Sequence, residues 1–169
     1  MIVVDVGDMK TSNHPDEMIR TYALGSCIGM TAYDPKLKLG ALLHYKLPRE
    51  MGQKTKQNPY SFGNTGIPLL LNTMLEMGAQ KKTLQLFICG AAKEIEGKCI
   101  FDVGLKNYQL CSRLLKKNGY HLNGMDIGGQ EARTMSLYLD TGKVTIMRKK
   151  KEEEMLSGSF YSSYDEDEL

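Results

Sequence analysis

Residues 18–46 read MIRTYALGSCIGMTAYDPKLKLGALLHYK, and this stretch decides the fold. Its β-branched, aromatic and aliphatic residues favour strands over 18–24 and 26–33, which Gly25-Ser26 interrupts. A turn that contains a proline then leads into a third apolar run over 37–46. The stretch therefore predicts a series of strands, of which the last two form an antiparallel hairpin.

Two amphipathic helices are predicted further along the chain. Asn64 is a candidate N-cap for the first helix, and Gly78 is expected to end it. Asp102 is the candidate cap of the second helix, which we expect over about 104–117. Both segments repeat apolar residues at the spacing of one helix face, so each helix is expected to pack on a sheet.

The remaining segments are predicted as strands and loops. Strands are expected over 2–7, 83–88, 120–127, 133–139 and 143–148. Loops are expected over 9–17 and 47–63, with a tight turn at 96–98. The order of these elements predicts an α+β or mixed α/β fold, in which two main helices cover a largely antiparallel, mixed sheet.

Length and charge suggest one domain with an appendage. The chain has 169 residues, which suits a single core. Residues 149–169 carry three lysines and seven acidic residues, whereas the preceding 148 residues carry 19 basic and 13 acidic residues. We therefore expect one folded domain over 1–148 and a charged, flexible tail over 149–169.

Several classes of protein are disfavoured by composition. The chain has no apolar run long enough to cross a bilayer and no basic, apolar leader, so a cytoplasmic location is expected. The basic residues are too few and too scattered to predict nucleic-acid binding. The four cysteines fit no C-x-x-C pattern and are expected to be free thiols, and the three histidines suggest no metal site.

Thr21, Cys27 and His44 form a candidate catalytic group within 24 residues. A thiol needs a base to become a nucleophile, and a histidine on the next strand is suited to accept its proton. Thr21 is placed to orient the imidazole through its hydroxyl or its carbonyl. A sharp bend at Gly25-Ser26 would lift the cysteine from the sheet and aim backbone N–H groups at an oxyanion.

A purely structural interpretation of the same residues remains open at this point. Cysteines within apolar strands are more often core residues than nucleophiles, and strand threonines are common. Gly128-Gly129 completes neither a Walker nor a G-x-G-x-x-G pattern, so it predicts a turn and no nucleotide cofactor. Phe160, Tyr161 and Tyr164 leave open a docking role for the tail.

A series of spaced motifs extends well beyond these three residues. In chain order they are Thr21-x-x-Leu24-Gly25-Ser26-Cys27, Asp34-Pro35, Gly40-Ala41-x-x-His44-x-x-Leu47-Pro48, Asn64, Met77-Gly78-Ala79, Gly90-Ala91, Val103-Gly104 with Asn107, Asp126-x-Gly128-Gly129 with Arg133, and Thr141-Gly142-Lys143. Over about residues 1–148 the set resembles the CheD family, the chemoreceptor glutamine deamidases of bacterial chemotaxis.

The resemblance implies an α/β sandwich with a Cys-His-Thr triad. By position, Cys27 is the expected nucleophile, His44 the base and acid, and Thr21 the orienting group. The family converts selected glutamines of receptor helices to glutamates and can also hydrolyse receptor glutamyl methyl esters, and many of its members bind a CheC-type phosphatase. No metal and no cofactor is implied.

Two other functions remain as alternatives. In the first, the protein serves mainly as a binding and regulatory module for a CheC-type phosphatase. In the second, it is an unrelated cysteine peptidase, against which stands the lack of a recognisable peptidase signature. The intact set of Cys27, His44 and Thr21 favours the deamidase.

Overall fold

The computed structural model of the chain describes residues 1–50, 52, 57–93 and 102–169. Within these ranges two α-helices are flanked by eleven strands and three short 3-10 helices. The strands are β1 (Ile2–Val4), β2 (Asp8–Ser12), β3 (Met18–Leu24), β4 (Ile28–Asp34), β5 (Leu39–Tyr45), β6 (Gln85–Gly90), β7 (Gly124–Ile127), β8 (Arg133–Tyr138), β9 (Val144–Arg148), β10 (Lys151–Met155) and β11 (Phe160–Ser162). The helices are α1 (Gly63–Glu76) and α2 (Val103–Lys117), and the 3-10 helices are Pro59–Ser61, Lys81–Thr83 and Glu166–Glu168.

The strands form two mixed sheets. The five-stranded sheet has the order β1-β3-β8-β9-β10, and the six-stranded sheet has the order β11-β7-β6-β4-β5-β2. Most neighbouring strands are antiparallel, and the parallel pairs are β1 with β3, β6 with β7, and β7 with β11. The expected α+β sandwich with two main helices is therefore confirmed, although the strands divide between two sheets.

The hydrophobic residues form one core on each face of the six-stranded sheet. Ile28, Met30 and Ala32 of β4 pack in the cluster that contains the α1 and α2 residues. Tyr33 of β4 and Leu42 of β5 instead pack in the cluster that contains residues of the five-stranded sheet. Because side chains alternate along a strand, even-numbered residues of β5 face the other sheet, and His44 is one of them.

The two helices occupy the predicted segments with one difference in capping. The side chain of Asp102 accepts a hydrogen bond from the Leu105 amide, which confirms it as the N-cap of α2. Asn64 does not cap α1, because the helix begins at Gly63 with Phe62 in the cap position. Among the described residues, no helix is both long and apolar enough to cross a membrane.

Strand β2 lies where a polar loop was predicted. Asp8 to Ser12 pair antiparallel with His44 to Gly40 of β5. The strand has a polar sequence because it is the outermost strand of its sheet, where charged side chains reach solvent and protect the unpaired edge. A pattern search that requires alternating apolar residues misses such a strand.

The C-terminal segment 149–169 also differs from the flexible tail that its composition suggested. Strand β10 pairs with β9 at one edge of the five-stranded sheet, and β11 pairs with β7 at one edge of the six-stranded sheet. The proposed boundary at 148/149 therefore falls within a two-stranded hairpin. Met155 and Tyr164 are buried, so two apolar anchors hold a segment that is otherwise mostly charged and polar.

Two predictions of the sequence analysis fall partly or wholly on residues outside the described ranges. The tight turn at 96–98 lies outside the described residues, as do positions 51 and 53–56 of the predicted 47–63 loop. The described part of that loop contains the 3-10 helix Pro59–Ser61 and a single bridge between Leu47 and Phe62. This bridge joins the end of β5 to the start of α1.

Candidate active site

Thr21 and His44 come together between the two sheets. The Thr21 hydroxyl lies 2.8 Å from Nδ1 of His44 and 2.7 Å from the backbone oxygen of Val4. β1 and β3 position these groups, since Val4 and Thr21 are partners in the parallel pair that the two strands form. Both side chains are buried, Thr21 completely and His44 to all but 3% of its surface.

The hydrogen bonds of Thr21 determine which tautomer His44 adopts. A hydroxyl has one proton to donate, and the carbonyl of Val4 can only accept, so Thr21 donates to Val4 and accepts from His44. Nδ1 therefore carries the imidazole proton, and Nε2 presents a lone pair. Nε2 is buried and has no hydrogen-bond partner among the described residues, which include Cys27.

Cys27 follows the bend at residues 25–27 and stands at the start of β4. The register of β4 and β5 places Gly29 opposite His44 and Ile28 opposite Tyr45. Residues 27 and 29 share a face by strand alternation, so Cys27 is a diagonal neighbour of His44. Its packing against the core between the two sheets is consistent with that face, and its side chain remains half-buried, within reach of solvent.

The backbone on either side of Cys27 is fixed by the segment that follows β6. Ala91 donates to the carbonyl of Cys27 at 2.8 Å, and Ala92 donates to that of Gly25 at 2.9 Å. Gly90 has a φ of +117°, and a Cβ at this position would lie 2.2 Å from the Cys27 carbonyl oxygen. The approach of the two backbones therefore requires a glycine.

The bend itself differs in detail from the sequence expectation. Gly25 and Ser26 lie in the bend and are half-buried, but Gly25 does not adopt a positive φ. The left-handed residue is Ala23, with a φ of +57°, at the bulge where the register of β3 against β8 shifts. A Cβ on Gly25 would meet no atom within 4 Å, so the bend is open on this side.

Burial sets the protonation states of the two reactive groups. Desolvation lowers the pKa of His44 to about 4, although the Asp5 carboxylate acts in the opposite direction. Desolvation also raises the pKa of Cys27, a shift partly offset by the Lys46 ammonium and by the backbone N–H of Cys27 itself. At neutral pH the free protein therefore holds a neutral thiol and a neutral imidazole rather than a thiolate–imidazolium pair.

Asn107 is a residue of this site for which the sequence analysis assigned no role. Its side-chain amide, fully buried on α2, donates to the carbonyl of Ser26 at 2.9 Å and to that of Lys46 at 3.0 Å. The sequence contained one indication of this role, since Asn107 is a polar residue on the inner face of an amphipathic helix. A polar side chain in such a position is buried only when it has hydrogen-bond partners.

Arg133 also lies near the Cys27 segment, where its side chain pairs with a carboxylate of the fold. Its guanidinium contacts Asp126 at 2.9 Å and donates to the carbonyl of Gly90 at 3.3 Å. Arg148 binds the same carboxylate through two hydrogen bonds. This network of Arg133, Asp126 and Arg148 holds Gly90, the glycine that faces Cys27.

The other described cysteines have no access to substrate. Cys89 and Cys111 are buried, and desolvation raises the pKa of each thiol to about 12. Both are free thiols, as is Cys27, whereas Cys99 lies outside the described residues. Among the described residues, no group of three or more His, Cys, Asp or Glu side chains is arranged to hold a metal ion.

A family model described as CheD chemotactic sensory transduction matches residues 46–148. The matched span contains α1, α2 and strands β6 to β9. It begins after Thr21, Cys27 and His44, so this match covers the scaffold that holds the candidate triad and not the triad itself.

Full-length relatives extend the comparison. "Probable chemoreceptor glutamine deamidase CheD 1" of Syntrophus aciditrophicus (strain SB) is 40% identical over 147 residues, which cover 86% of this chain and 92% of the relative. "Probable chemoreceptor glutamine deamidase CheD" of Solibacter usitatus (strain Ellin6076) is 36% identical over 157 residues, or 92% and 93% of the two chains. The protein of that name from Pyrococcus abyssi (strain GE5 / Orsay) is 39% identical over 149 residues, or 87% and 91%. By its family-model match and these relatives, the chain belongs to the CheD family.

Proposed function

We propose that the protein is a chemoreceptor glutamine deamidase that works in the cytoplasm through Cys27, His44 and Thr21. Its substrates are glutamine side chains on the cytoplasmic helices of methyl-accepting chemotaxis proteins, and its products are glutamate and ammonia. The observation that carries the proposal is the Thr21–His44 hydrogen bond, which leaves Nε2 of His44 as an unpaired base on the face shared with Cys27.

The first half of the reaction forms a thioester. The Cys27 sulfur attacks the carboxamide carbon while the thiol proton passes to Nε2 of His44. The resulting imidazolium then gives this proton to the amide nitrogen, the C–N bond breaks, and ammonia leaves. A neutral starting pair suits this sequence, because the proton moves only when the sulfur bonds to carbon.

The second half returns the enzyme to its starting state. A water molecule gives a proton to Nε2 and attacks the thioester carbon, after which the C–S bond breaks. The departing thiolate of Cys27 recovers its proton from the imidazolium, and the product is the glutamate side chain. Thr21 holds Nδ1–H throughout, so the ring presents Nε2 in both halves.

The bend over Gly25 and Ser26 supports the oxyanion in this proposal. The tetrahedral intermediate carries negative charge on the former carboxamide oxygen, close to the backbone N–H groups beside Cys27. One of these, the N–H of Cys27 itself, already lies against the sulfur and lowers its pKa. Each such donor contributes about 3 kcal/mol to the stability of a transition state.

The same residues suit the hydrolysis of receptor glutamyl methyl esters. Methanol replaces ammonia as the leaving group, and the thioester that forms is the same. We therefore propose that deamidation and ester hydrolysis share Cys27. Parallel loss of both activities in Cys27→Ala supports this, and persistence of ester hydrolysis contradicts it.

Binding of a CheC-type phosphatase is a further part of the proposal. Its support is the membership of the chain in the CheD family. A pull-down of the phosphatase with Cys27→Ser separates binding from catalysis, since this variant removes only the nucleophilic sulfur. Retained binding together with lost deamidation is expected, and failure of the wild-type protein to bind would exclude the partner.

Deamidation is tested most simply on a receptor cytoplasmic fragment. We expect peptide mass spectrometry to show the glutamine-to-glutamate mass change at specific positions with the wild-type protein and with the control Cys89→Ala. Cys27→Ser should produce none. Wild-type activity in Cys27→Ser, or the absence of any conversion by the wild type, would overturn the proposal.

A further inference from the structure

We propose that Asn107 is a positioning residue of the reaction, an inference that rests on the proposed function of the site. Its side-chain amide ties the end of the strand that carries His44 to the bend that carries Cys27. In this way it fixes how far the nucleophile lies from its base. The residue touches neither the substrate nor the reacting atoms.

Two hydrogen bonds from one buried amide make the connection. Asn107 donates to the carbonyl of Ser26, the residue before Cys27, and to the carbonyl of Lys46, two residues after His44. Both partners are acceptors, so the amide must present its NH₂ group to them. Asn107 is 0% exposed, so its amide donates these two bonds from the interior of the fold.

The position of this contact matters because the strand ladder ends there. The last pair of β4 and β5 is Ile28 with Tyr45. The next rung would join Cys27 to Lys46, but the chain bends before β4 begins. Asn107 supplies a side-chain bridge at this point, so the strand ends are held together where the ladder stops.

The unpaired oxygen of the Asn107 amide indicates that this residue acts through the two hydrogen bonds that it donates. Oδ1 of Asn107 is buried and has no hydrogen-bond partner among the described residues. A leucine has the same branched shape and carries no carbonyl oxygen to desolvate. A buried asparagine therefore gains over an apolar residue only through the two bonds that it donates.

The loss of this bridge should affect the reaction more than the fold. Proton transfer between Cys27 and Nε2 of His44 depends on their separation, and a displacement of about 1 Å lowers rates by on the order of 100-fold. The substrate surface around the bend does not involve Asn107. We therefore expect kcat to fall while KM stays unchanged.

Asn107→Asp is the main test variant, because it keeps the shape of the side chain and replaces the two N–H donors with a carboxyl group that offers at most one O–H. Tyr45→Phe is the matched control. The Tyr45 hydroxyl donates to the backbone oxygen of Asn107 at 2.8 Å, so this variant also weakens the attachment of α2 to β5 but leaves the two amide bonds in place. Asn107→Leu is the second test variant if the aspartate prevents folding.

Alkylation of Cys27 by iodoacetamide gives a readout that needs no receptor. The sulfur displaces iodide, and the thiol proton goes to Nε2 of His44. At neutral pH and well below the melting temperature, we expect Asn107→Asp to slow this alkylation by roughly tenfold to 100-fold, and we expect His44→Ala to slow it as well. Tyr45→Phe should alkylate at the wild-type rate even though its melting temperature falls.

The outcomes separate this inference from the proposed function. Wild-type alkylation rates in folded Asn107→Asp and Asn107→Leu overturn the positioning role, whatever happens to receptor glutamines. Equal slowing in Tyr45→Phe also overturns it, since a general loosening of α2 would then explain the effect. Slowed alkylation in the Asn107 variants alone supports the role even if the wild type deamidates no receptor.

Discussion

The Thr21 hydroxyl accepts a hydrogen bond from the Nδ1–H of His44 at 2.8 Å and donates one to the Val4 carbonyl at 2.7 Å. The order of donors cannot be reversed, because the carbonyl has no proton to give. A neutral threonine thus fixes the tautomer of His44, a task that a carboxylate performs in Ser-His-Asp triads. Because the threonine hydroxyl is uncharged, the imidazolium gains less stabilisation from Thr21 than it would from an aspartate at that position.

Thr21→Val tests the orienting role of the hydroxyl, since it removes the oxygen at nearly constant volume. We expect the deamidation rate to fall by about 100-fold or more, because Nε2 is no longer held as the free base. The buried Val4 oxygen and the imidazole N–H also lose their partner, at a cost of about 1–3 kcal/mol in the free energy of unfolding. The measurements are kcat and a denaturant titration.

Thr21→Ser is the matched control for this change. The serine hydroxyl can reach both His44 and Val4, so most of the rate should remain. If valine and serine lower the rate equally, keeping the hydroxyl gives no advantage and the orienting role is excluded.

The pH dependence follows from the pKa of His44, which burial lowers from 6.5 to about 4. Between these values the unfolded chain binds more protons than the folded one. The stability that a neutral His44 provides is therefore complete above about pH 6.5 and is lost as the pH falls toward 4. The acid limb of kcat/KM should likewise lie near pH 4, since only neutral His44 accepts the thiol proton.

NMR titration of the His44 ring checks this value, with His44→Gln used to assign the resonances. A midpoint near 4 is expected. A midpoint near 6.5 would mean that the ring is hydrated in solution, and the neutral starting pair described above would then be wrong for slightly acidic conditions.

Selective alkylation tests whether Cys27 is the accessible thiol. In native protein at pH 8 we expect iodoacetamide to modify Cys27, which is half-buried, before Cys89 and Cys111, whose thiols are buried and have pKa values raised to about 12. The Cys99→Ser background removes the cysteine outside the described residues. Peptide mapping of native and urea-denatured samples gives the comparison, and prior modification of Cys89 in the native sample would contradict it.

Gly90→Ala tests the close approach behind the nucleophile. The added Cβ would lie 2.2 Å from the Cys27 carbonyl oxygen, and the φ of +117° is unfavourable for alanine. We expect a loss of about 2–4 kcal/mol in the free energy of unfolding. Gly25→Ala is the control for stability, since its Cβ meets open space. Equal melting temperatures for the two variants would contradict the structure of this segment.

The hairpin and the placement of its reactive residues followed from the sequence. Alternation along β4 and β5 is a local property, so the turn at Asp34-Pro35 was enough to bring Cys27 and His44 to neighbouring strands. Apolar periodicity and an aspartate cap likewise located α2. These signals depend on residues a few positions apart, which is the range over which patterns are informative.

Contacts between distant segments were not predictable in the same way. Asn107 reaches backbone carbonyls 81 and 61 residues away in sequence. Every residue has such a carbonyl, so the residue type does not indicate which carbonyl accepts a hydrogen bond. Strand β10 has the composition of a disordered tail because it is an exposed edge strand. In each case the information lies in the tertiary fold and not in the local sequence.

A covalent bond between Cys27 and the substrate is the claim on which the account depends, and hydroxylamine trapping tests it most directly. Hydroxylamine attacks a thioester, so a receptor fragment turned over in its presence should acquire a glutamyl hydroxamate. We expect this product at the deamidated positions with the wild type and with Cys89→Ala. We expect no hydroxamate with Cys27→Ala. Hydroxamate formation by Cys27→Ala at the wild-type rate would contradict it.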